Sequence, residues 1–155
     1  MKRFRFPLRP VAVLRAHRQA RAREAFAAAV HCYVEAEEHL ATTRAGQREL
    51  ETLMHDGRRT TFRAADEVSF WSAYRRVCED AVKSERAVFE ARAVMEERRE
   101  QYMEAHRAVK IVEKLEQKAR TSYREEIERE GQLELDEMAG YRVGRRLAAS
   151  TIASG

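Results

Sequence analysis

The chain has 155 residues, of which 36% are charged and 44% hydrophobic, and its formal net charge is +4. Alanine supplies much of the hydrophobic share, so the chain can line a narrow helical seam but cannot fill a thick core. No apolar run approaches the roughly 20 residues that cross a bilayer, and the start MKRFRFPLRP lacks the apolar core of a signal peptide. Composition therefore excludes a transmembrane segment and predicts a soluble, cytoplasmic protein.

The charges are distributed unevenly along the chain. Residues 1–23 contain eight Lys or Arg and no acid, residues 141–155 contain three Arg and no acid, and the stretch between them carries a net −7. We predict a basic N-terminal arm over residues 1–10. An acid-free basic segment can meet nucleic acid, anionic lipid or an acidic protein surface. Because no aromatic stacking platform or nucleic-acid motif accompanies it, nucleic acid is not the expected partner.

The first predicted helix covers about residues 11–55, where small or apolar residues recur every three or four positions. Both prolines, Pro7 and Pro10, precede it, so nothing within it breaks a helix. A spacing that averages about 3.5 residues lines up one narrow seam, which is the pattern of a coiled coil. The seam residues are Val11, Leu14, Ala22, Ala25, Ala29, Cys32, Ala36, Leu40, Leu50 and Met54.

A polar segment, HDGRRTTFRAAD, interrupts the periodicity and predicts a hinge over residues 56–65. Gly57 is expected just past the end of the first helix. A chain folded at about residue 60 pairs position i with roughly position 120 − i, so Val11 would lie near Val109. The predicted fold is all-α, an antiparallel two-helix coiled-coil hairpin whose second helix is longer than the first.

The second predicted helix covers about residues 66–139, and a flexible C-terminal tail is expected over residues 140–155. Residues 11–139 thus form one hairpin domain. In this register the start of the first helix lies opposite about residue 110 of the second, so residues 110–139 are expected to overhang. The overhang carries an apolar stripe that is expected to have no partner in its own chain: Ile111, Leu115, Tyr123 and Ile127. The seam residues of this helix are Phe70, Tyr74, Val77, Ala81, Val88, Ala91, Met95, Tyr102, Ala105, Val109 and Val112.

Large aromatic side chains crowd the first turns of the second helix. Phe70, Trp71 and Tyr74 lie opposite a stretch of the first helix, residues 42–48, that is mostly polar. Heptad spacing favours packing of these rings in the seam, whereas polar partners cannot bury several of them, and exposed aromatics beside arginine are typical anchors for a partner protein. Both interpretations stay open on the sequence alone.

No pattern in the sequence is typical of catalysis or of a metal site. The five histidines form no HxxxH or HExxH pair, and there is no phosphate-binding glycine loop or dinucleotide fingerprint. Cys32 and Cys78 are separated in the predicted register and are expected to be reduced. We expect a protein that is not an enzyme and that holds no cofactor and no metal.

The two ends of the chain resemble one family. The start, KRFRFPLRPVAVLRAHRQAR, is similar to the FxFxLxxVLxxR opening of the flagellar export protein FliJ family. The end, EKLEQKARTSYREEIEREGQLELDEMA, is similar to the family's closing signature, in which KL, a tyrosine and a Glu/Arg run precede EQKxLDExA. Gly131 and Leu133 depart from it, standing where Glu and Lys are usual. The matching residues are Lys114, Leu115, Tyr123, Glu126, Arg129, Glu130, Gln132, Leu135, Asp136, Glu137 and Ala139.

The resemblance implies a non-enzymatic stalk of the flagellar type III export apparatus. Such a stalk inserts into the ring of the hexameric export ATPase and contacts the cytoplasmic part of the export gate and export chaperones, at the inner face of the cell membrane. The stalk proteins of injectisomes share this architecture and are an alternative, as is a generic coiled-coil scaffold or a nucleic-acid-binding rod.

The resemblance and the exposed side chains expected at each end suggest two binding surfaces. The expected gate-binding residues are Phe70, Trp71, Tyr74, Val77 and Ala81. The expected ATPase-binding residues are Arg15, Arg18, Arg21, Ile111, Leu115, Tyr123, Ile127, Gln132, Leu135, Asp136 and Glu137.

Overall fold

The computed structural model describes residues 3–59 and 63–153, with side chains described up to residue 145. This part of the chain contains two α-helices: α1 spans Arg9–Gly57 and α2 spans Ala64–Ala153. Residues 60–62 of the predicted hinge, residues 1–2 of the predicted arm and residues 154–155 of the predicted tail lie outside the described residues. The chain is an all-α antiparallel hairpin with a longer second helix, which confirms the predicted fold class.

Local chemistry explains the helix ends. Pro10 lies in the first turn of α1, where a missing amide donor costs nothing because the group would have no intrahelical acceptor. Asp66 and Glu67 lie in the first turn of α2, where the helix dipole favours negative charge, and their amides donate to the Arg63 carbonyl oxygen at 3.0 and 3.2 Å. Gly57 is the last residue of α1 rather than the residue after it, and no described glycine has a positive φ.

The second helix extends beyond residue 139, its predicted end. α2 continues to Ala153, so residues 140–153, which were predicted as a flexible tail, are helical. The segment contains no proline, and its arginines, leucine and alanines are good helix formers that offset Gly140 and Gly144, each of which costs about 1 kcal/mol relative to alanine.

The chain divides into two compact units: one is Arg15–Arg107, and the other joins the segments up to Leu14 and from Ala108 onward. In the Arg15–Arg107 unit the two helices meet along a narrow seam of residues that repeat every three or four positions. Among the described residues of this unit, only Ala29, Ala81 and Ser84 are buried, at 8%, 7% and 5% exposure. The half-buried or buried seam positions of α1 are Arg15, Gln19, Ala22, Ala25, Phe26, Ala29, Tyr33, Ala36, Leu40, Thr43, Gln47, Leu50 and Met54.

The pairing register differs from the predicted one. Across the Arg15–Arg107 unit, Gln19 contacts His106, Phe26 stacks on Tyr102, and Tyr74 reaches Glu51. With His39 beside Ser84 and Arg44 beside Glu85, the paired residue numbers sum to between 123 and 129 instead of 120. Helical side chains lean toward the N-terminus of their own helix, which raises the sum for contacting tips by about two in an antiparallel pair.

Three residues predicted for the α1 seam lie outside it. Val11 is 37% exposed, Leu14 is 49% exposed, and Cys32 is exposed. The seam instead passes through polar positions, among them Arg15 and Gln19, which are half-buried. Because such residues are polar, they do not fit an apolar repeat, and nearby apolar residues on the flank of the helix were assigned to the seam instead.

In the other unit the N-terminal segment packs against α2. Val112 is buried there, at 3% exposure. Phe4 and Phe6 are half-buried while Arg3 and Arg5 are exposed, as expected when an extended segment alternates sides at each residue. The Phe4 ring lies 5.4 Å from the Tyr123 ring, centroid to centroid. Tyr123 therefore has a partner in its own chain, and its place in the predicted unpaired stripe was wrong.

Candidate protein-binding surfaces

The aromatic residues near the hinge form one cluster of three rings at the start of α2. Trp71 lies edge-on to Phe70 and to Tyr74, at centroid distances of 6.1 and 6.0 Å, and Phe70 stacks on Tyr74 at 6.2 Å. Trp71 is 46% exposed, whereas Phe70 and Tyr74 are half-buried. The cluster is thus partly seam and partly surface, with the indole as its exposed member.

The hydroxyl group of Tyr74 ties this cluster to α1. It donates a hydrogen bond to Glu51 Oε1 at 2.9 Å. A hydrogen bond with Gln47 lowers the pKa of Tyr74, hydrogen bonds with Glu51 and Cys78 raise it, and the net result lies above the ordinary value of 10.0. The phenol therefore stays protonated and remains a donor across the neutral range.

The remaining two predicted gate-binding residues lie in the seam. Val77 is half-buried and Ala81 is 7% exposed. Their side chains support the helix pair, so of the five predicted residues Trp71 offers the largest accessible ring to a partner.

A second group of side chains lies at the N-terminal segment and the neighbouring part of α2. The guanidinium carbon of Arg120 lies 5.4 Å from the centre of the Phe4 ring, and Arg120 also donates to Glu116 at 2.7 Å. A cation over an aromatic face contributes about 0.5–1 kcal/mol at an exposed site. These contacts fix the first aromatic residue of the chain on α2.

The predicted ATPase-binding residues of this unit are mostly exposed. Ile111, Leu115 and Ile127 are 55%, 42% and 46% exposed. Further along α2, Leu135 is 63% exposed, and the three polar residues of the signature that were predicted to bind the ATPase are exposed as well: Gln132, Asp136 and Glu137. This part of α2 presents large apolar side chains interspersed with acids.

The three predicted ATPase-binding arginines belong to the Arg15–Arg107 unit. Arg18 and Arg21 are exposed, whereas Arg15 is half-buried in the seam. The structure therefore separates the arginine set into two accessible cations and one that takes part in helix packing.

Polar contacts across the seam were not predicted from the sequence. Gln19 Nε2 lies 2.8 Å from His106 Nδ1, and His39 Nδ1 lies 3.0 Å from Ser84 Oγ. Arg44 also pairs with Glu85 at 2.8 Å, with both side chains exposed. These contacts could have been predicted from polar residues at heptad positions, because such residues continue the seven-residue repeat where apolar residues are missing from it.

The described surface offers open grooves. One runs along α2 between Gly140, Tyr141 and Gly144. Both cysteines are free, and no group of three metal-ligating side chains occurs among the described residues. Neither helix, over its described length, has a stretch long and apolar enough to cross a membrane.

The fold and its exposed side chains define a two-helix hairpin that displays apolar and charged residues along both helices. The family model described as the flagellar FliJ protein matches residues 4–148 of the chain. The chain therefore belongs to the FliJ family and is a component of the flagellar export apparatus. Comparison with curated proteins gave no match, and comparison with solved structures gave none.

Proposed function

We propose that the chain is the non-enzymatic stalk of the flagellar export apparatus, which binds the hexameric export ATPase and connects it to the export gate and export chaperones at the inner face of the membrane. The observation that carries this proposal is the family match over residues 4–148, which takes in both helices and both terminal motifs.

Two sets of exposed side chains support contact with the ATPase. Ile111, Leu115 and Ile127 expose apolar surface that a protein partner could cover. Arg18 and Arg21 are accessible cations in a segment, residues 1–23, that contains no acid. Complementary charge speeds encounter while buried apolar contacts slow dissociation, so the two sets have different roles in binding.

The hinge-proximal cluster is the proposed contact for the cytoplasmic part of the gate. A half-exposed tryptophan supported by two further rings has the properties of a binding hot spot, namely a large and rigid apolar surface held in place by its neighbours. The exposed residues Arg75 and Arg76 follow the cluster on α2, as is common where aromatic and arginine anchors act together.

The direct experiment is co-purification of the chain with its cognate export ATPase, followed by steady-state ATP hydrolysis with and without the chain. We expect a complex and faster hydrolysis, with no turnover by the chain alone. The proposal fails if the chain neither binds the ATPase nor changes its rate, and tight DNA binding with a steep salt dependence would instead support a nucleic-acid-binding rod.

A further inference from the structure

An exposed line of side chains runs beside the seam of α2, and its members come one position after every second seam residue in the sequence. Seam residues Tyr74, Ala81, Val88, Met95 and Tyr102 repeat every seven residues, and all are half-buried or buried. The positions one residue after these also repeat every seven residues, so they lie at a constant angle to the seam around the helix. We call this line the outer stripe; its members are Val68, Arg75, Val82, Phe89, Glu96 and Met103.

The outer stripe is unusually apolar for an exposed line. Val68 is 72% exposed, Val82 66%, Phe89 75% and Met103 40%. Solvated flanks of a two-helix coiled coil normally carry polar residues, and the same helix follows that rule elsewhere, with ion pairs such as Arg86 with Glu90 at 3.2 Å. Four large apolar side chains on one line form a helix face that lacks a partner within the described hairpin.

When two copies of the outer stripe lie side by side in opposite directions, the residues of one copy are complementary to those of the other. In an antiparallel pair of stripes related by a twofold axis between Glu85 and Arg86, Val82 meets Phe89, Arg75 meets Glu96, and Val68 meets Met103. Every apolar residue then faces an apolar residue and every charge faces its opposite. We propose that two copies of this chain associate through their outer stripes as a symmetric, antiparallel homodimer.

The complementarity is specific to this register. A shift of seven residues in one direction places Phe89 on Arg75, and a shift in the other direction places Val82 on Glu96. Parallel alignment in register places Arg75 on Arg75 and Glu96 on Glu96, which repel. Glu96 already accepts a hydrogen bond from Arg92 at 3.3 Å, and a carboxylate has room for a second donor.

The size of the contact sets the expected strength. From Val68 to Met103 the stripe extends for about 50 Å at 1.5 Å per residue, but only four large apolar side chains from each copy are covered. Such an interface falls in the weak class, so association is expected at roughly 1 to 100 μM chain. The dimer is therefore expected as a concentration-dependent form of the free protein.

The first test is sedimentation equilibrium of the purified full chain over about 1 to 100 μM. We expect the average mass to rise from the 18.0 kDa of one chain toward twice that value. Phe89→Glu should weaken association at least tenfold while leaving helix content unchanged, since Phe89 is 75% exposed. A wild-type chain that stays monomeric throughout would overturn the proposal and leave the stripe to a helix of another protein.

The second test fixes the register by charge reversal. Arg75→Glu and Glu96→Arg should each weaken the dimer about fivefold or more, because symmetry places two repulsive contacts in each dimer, and the double variant should return within about twofold of wild type. Arg76→Glu is the matched control, since Arg76 is exposed on α2 one residue past the stripe and should leave association unchanged. A double variant no stronger than either single variant, or singles that dimerise like the control, would show that this register is wrong.

Discussion

Individual polar residues in the seam help to specify how the helices align. Ser84 is the buried polar side chain of the described part of the chain, at 5% exposure, and its hydroxyl lies 3.0 Å from His39 Nδ1. Gln19 and His106 make a similar contact at 2.8 Å. If α1 slipped by one turn, these groups would lose their partners, and the loss is most costly for the buried hydroxyl of Ser84. The two contacts therefore oppose slippage along the seam.

A double-mutant cycle on His39 and Ser84 tests this role. His39→Ala and Ser84→Ala should each destabilise the hairpin, with a coupling free energy of about 0.5–1.5 kcal/mol between them, the usual net contribution of one hydrogen bond. The measurement is urea denaturation of the four proteins followed by circular dichroism. Additive effects of the two substitutions would mean that the contact does not stabilise the hairpin.

Trp71 is the residue at which binding and stability can be separated. Trp71→Ala should weaken binding to the cytoplasmic part of the gate at least tenfold, because a half-exposed ring is expected to be an anchor, and it should leave thermal stability almost unchanged. The double variant Trp71→Ala/Tyr74→Ala should also lose stability, since Tyr74 donates to Glu51 across the helices. Calorimetric titration against the gate fragment and thermal melting provide the two readouts.

Glu79→Ala serves as the control for these variants, because Glu79 is exposed on the same helix and lies outside the ring cluster. If Trp71→Ala melts much earlier than wild type while its folded fraction binds the gate normally, the tryptophan is a packing residue and not an anchor.

At the scale of the helices, sequence periodicity predicted that two helices exist, that the second is longer and that a polar hinge separates them. It did not predict the seam in detail, because Arg15 and Gln19 occupy seam positions that an apolar pattern passes over. It also missed the packing of Phe4 on Tyr123, which depends on a segment that precedes α1. A contact made by the segment before α1 leaves no helical period in the sequence, whereas polar seam residues are found only when the seven-residue repeat is followed through them.

The candidate binding surfaces, like the seam, were predicted in outline but not residue by residue. Exposure of some rings near the hinge followed from the polar residues opposite them, and Trp71 is indeed half-exposed. Which ring would be exposed depends on the helix phase, which a one-residue change in register alters by about 100°. The apolar outer stripe was missed because Val82 and Phe89 belong to a repeat that runs beside the main one.

Truncation of α2 tests which part of the helix acts on the ATPase. A chain that ends after Arg120 loses Ile127, Leu135 and the acidic signature residues, and it should no longer stimulate ATP hydrolysis. The Arg15–Arg107 unit should stay folded, because its seam contacts are all retained. A chain that ends after Gly140 keeps the proposed residues and is the matched control.

Steady-state hydrolysis rates, with circular dichroism to confirm folding, supply the measurement for both truncations. If the shorter chain stimulates the ATPase as well as the full chain does, the residues after Arg120 are not required and the working surface lies elsewhere.

At the scale of the whole molecule, the net charge of +4 conceals acid-free segments at both ends and a net −7 between them. Reversing Arg18 and Arg21 to glutamate should slow association with the ATPase and flatten the salt dependence of the association rate, because long-range attraction is screened by salt. Stopped-flow kinetics at several ionic strengths measure both effects. The dissociation rate should change little.

The control for this charge reversal is Arg76→Glu with Lys83→Glu, which changes the net charge by the same amount at exposed positions of α2. An equal slowing in both double variants would show that net charge alone, and not the N-terminal arginines, governs the encounter.

The narrow seam also affects how such a sequence can evolve. Among the residues whose side chains are described, only Ala29, Ala81, Ser84 and Val112 are buried, so few positions exist at which a substitution creates a cavity or an overpacked core. Most mutations on the remaining surface change stability by less than about 0.5 kcal/mol and escape purifying selection on the fold. Related chains can therefore differ at nearly every sequence position while helix lengths, hinge position and heptad phase persist. Common descent in such a protein is visible in the pattern of residue types more than in sequence identity.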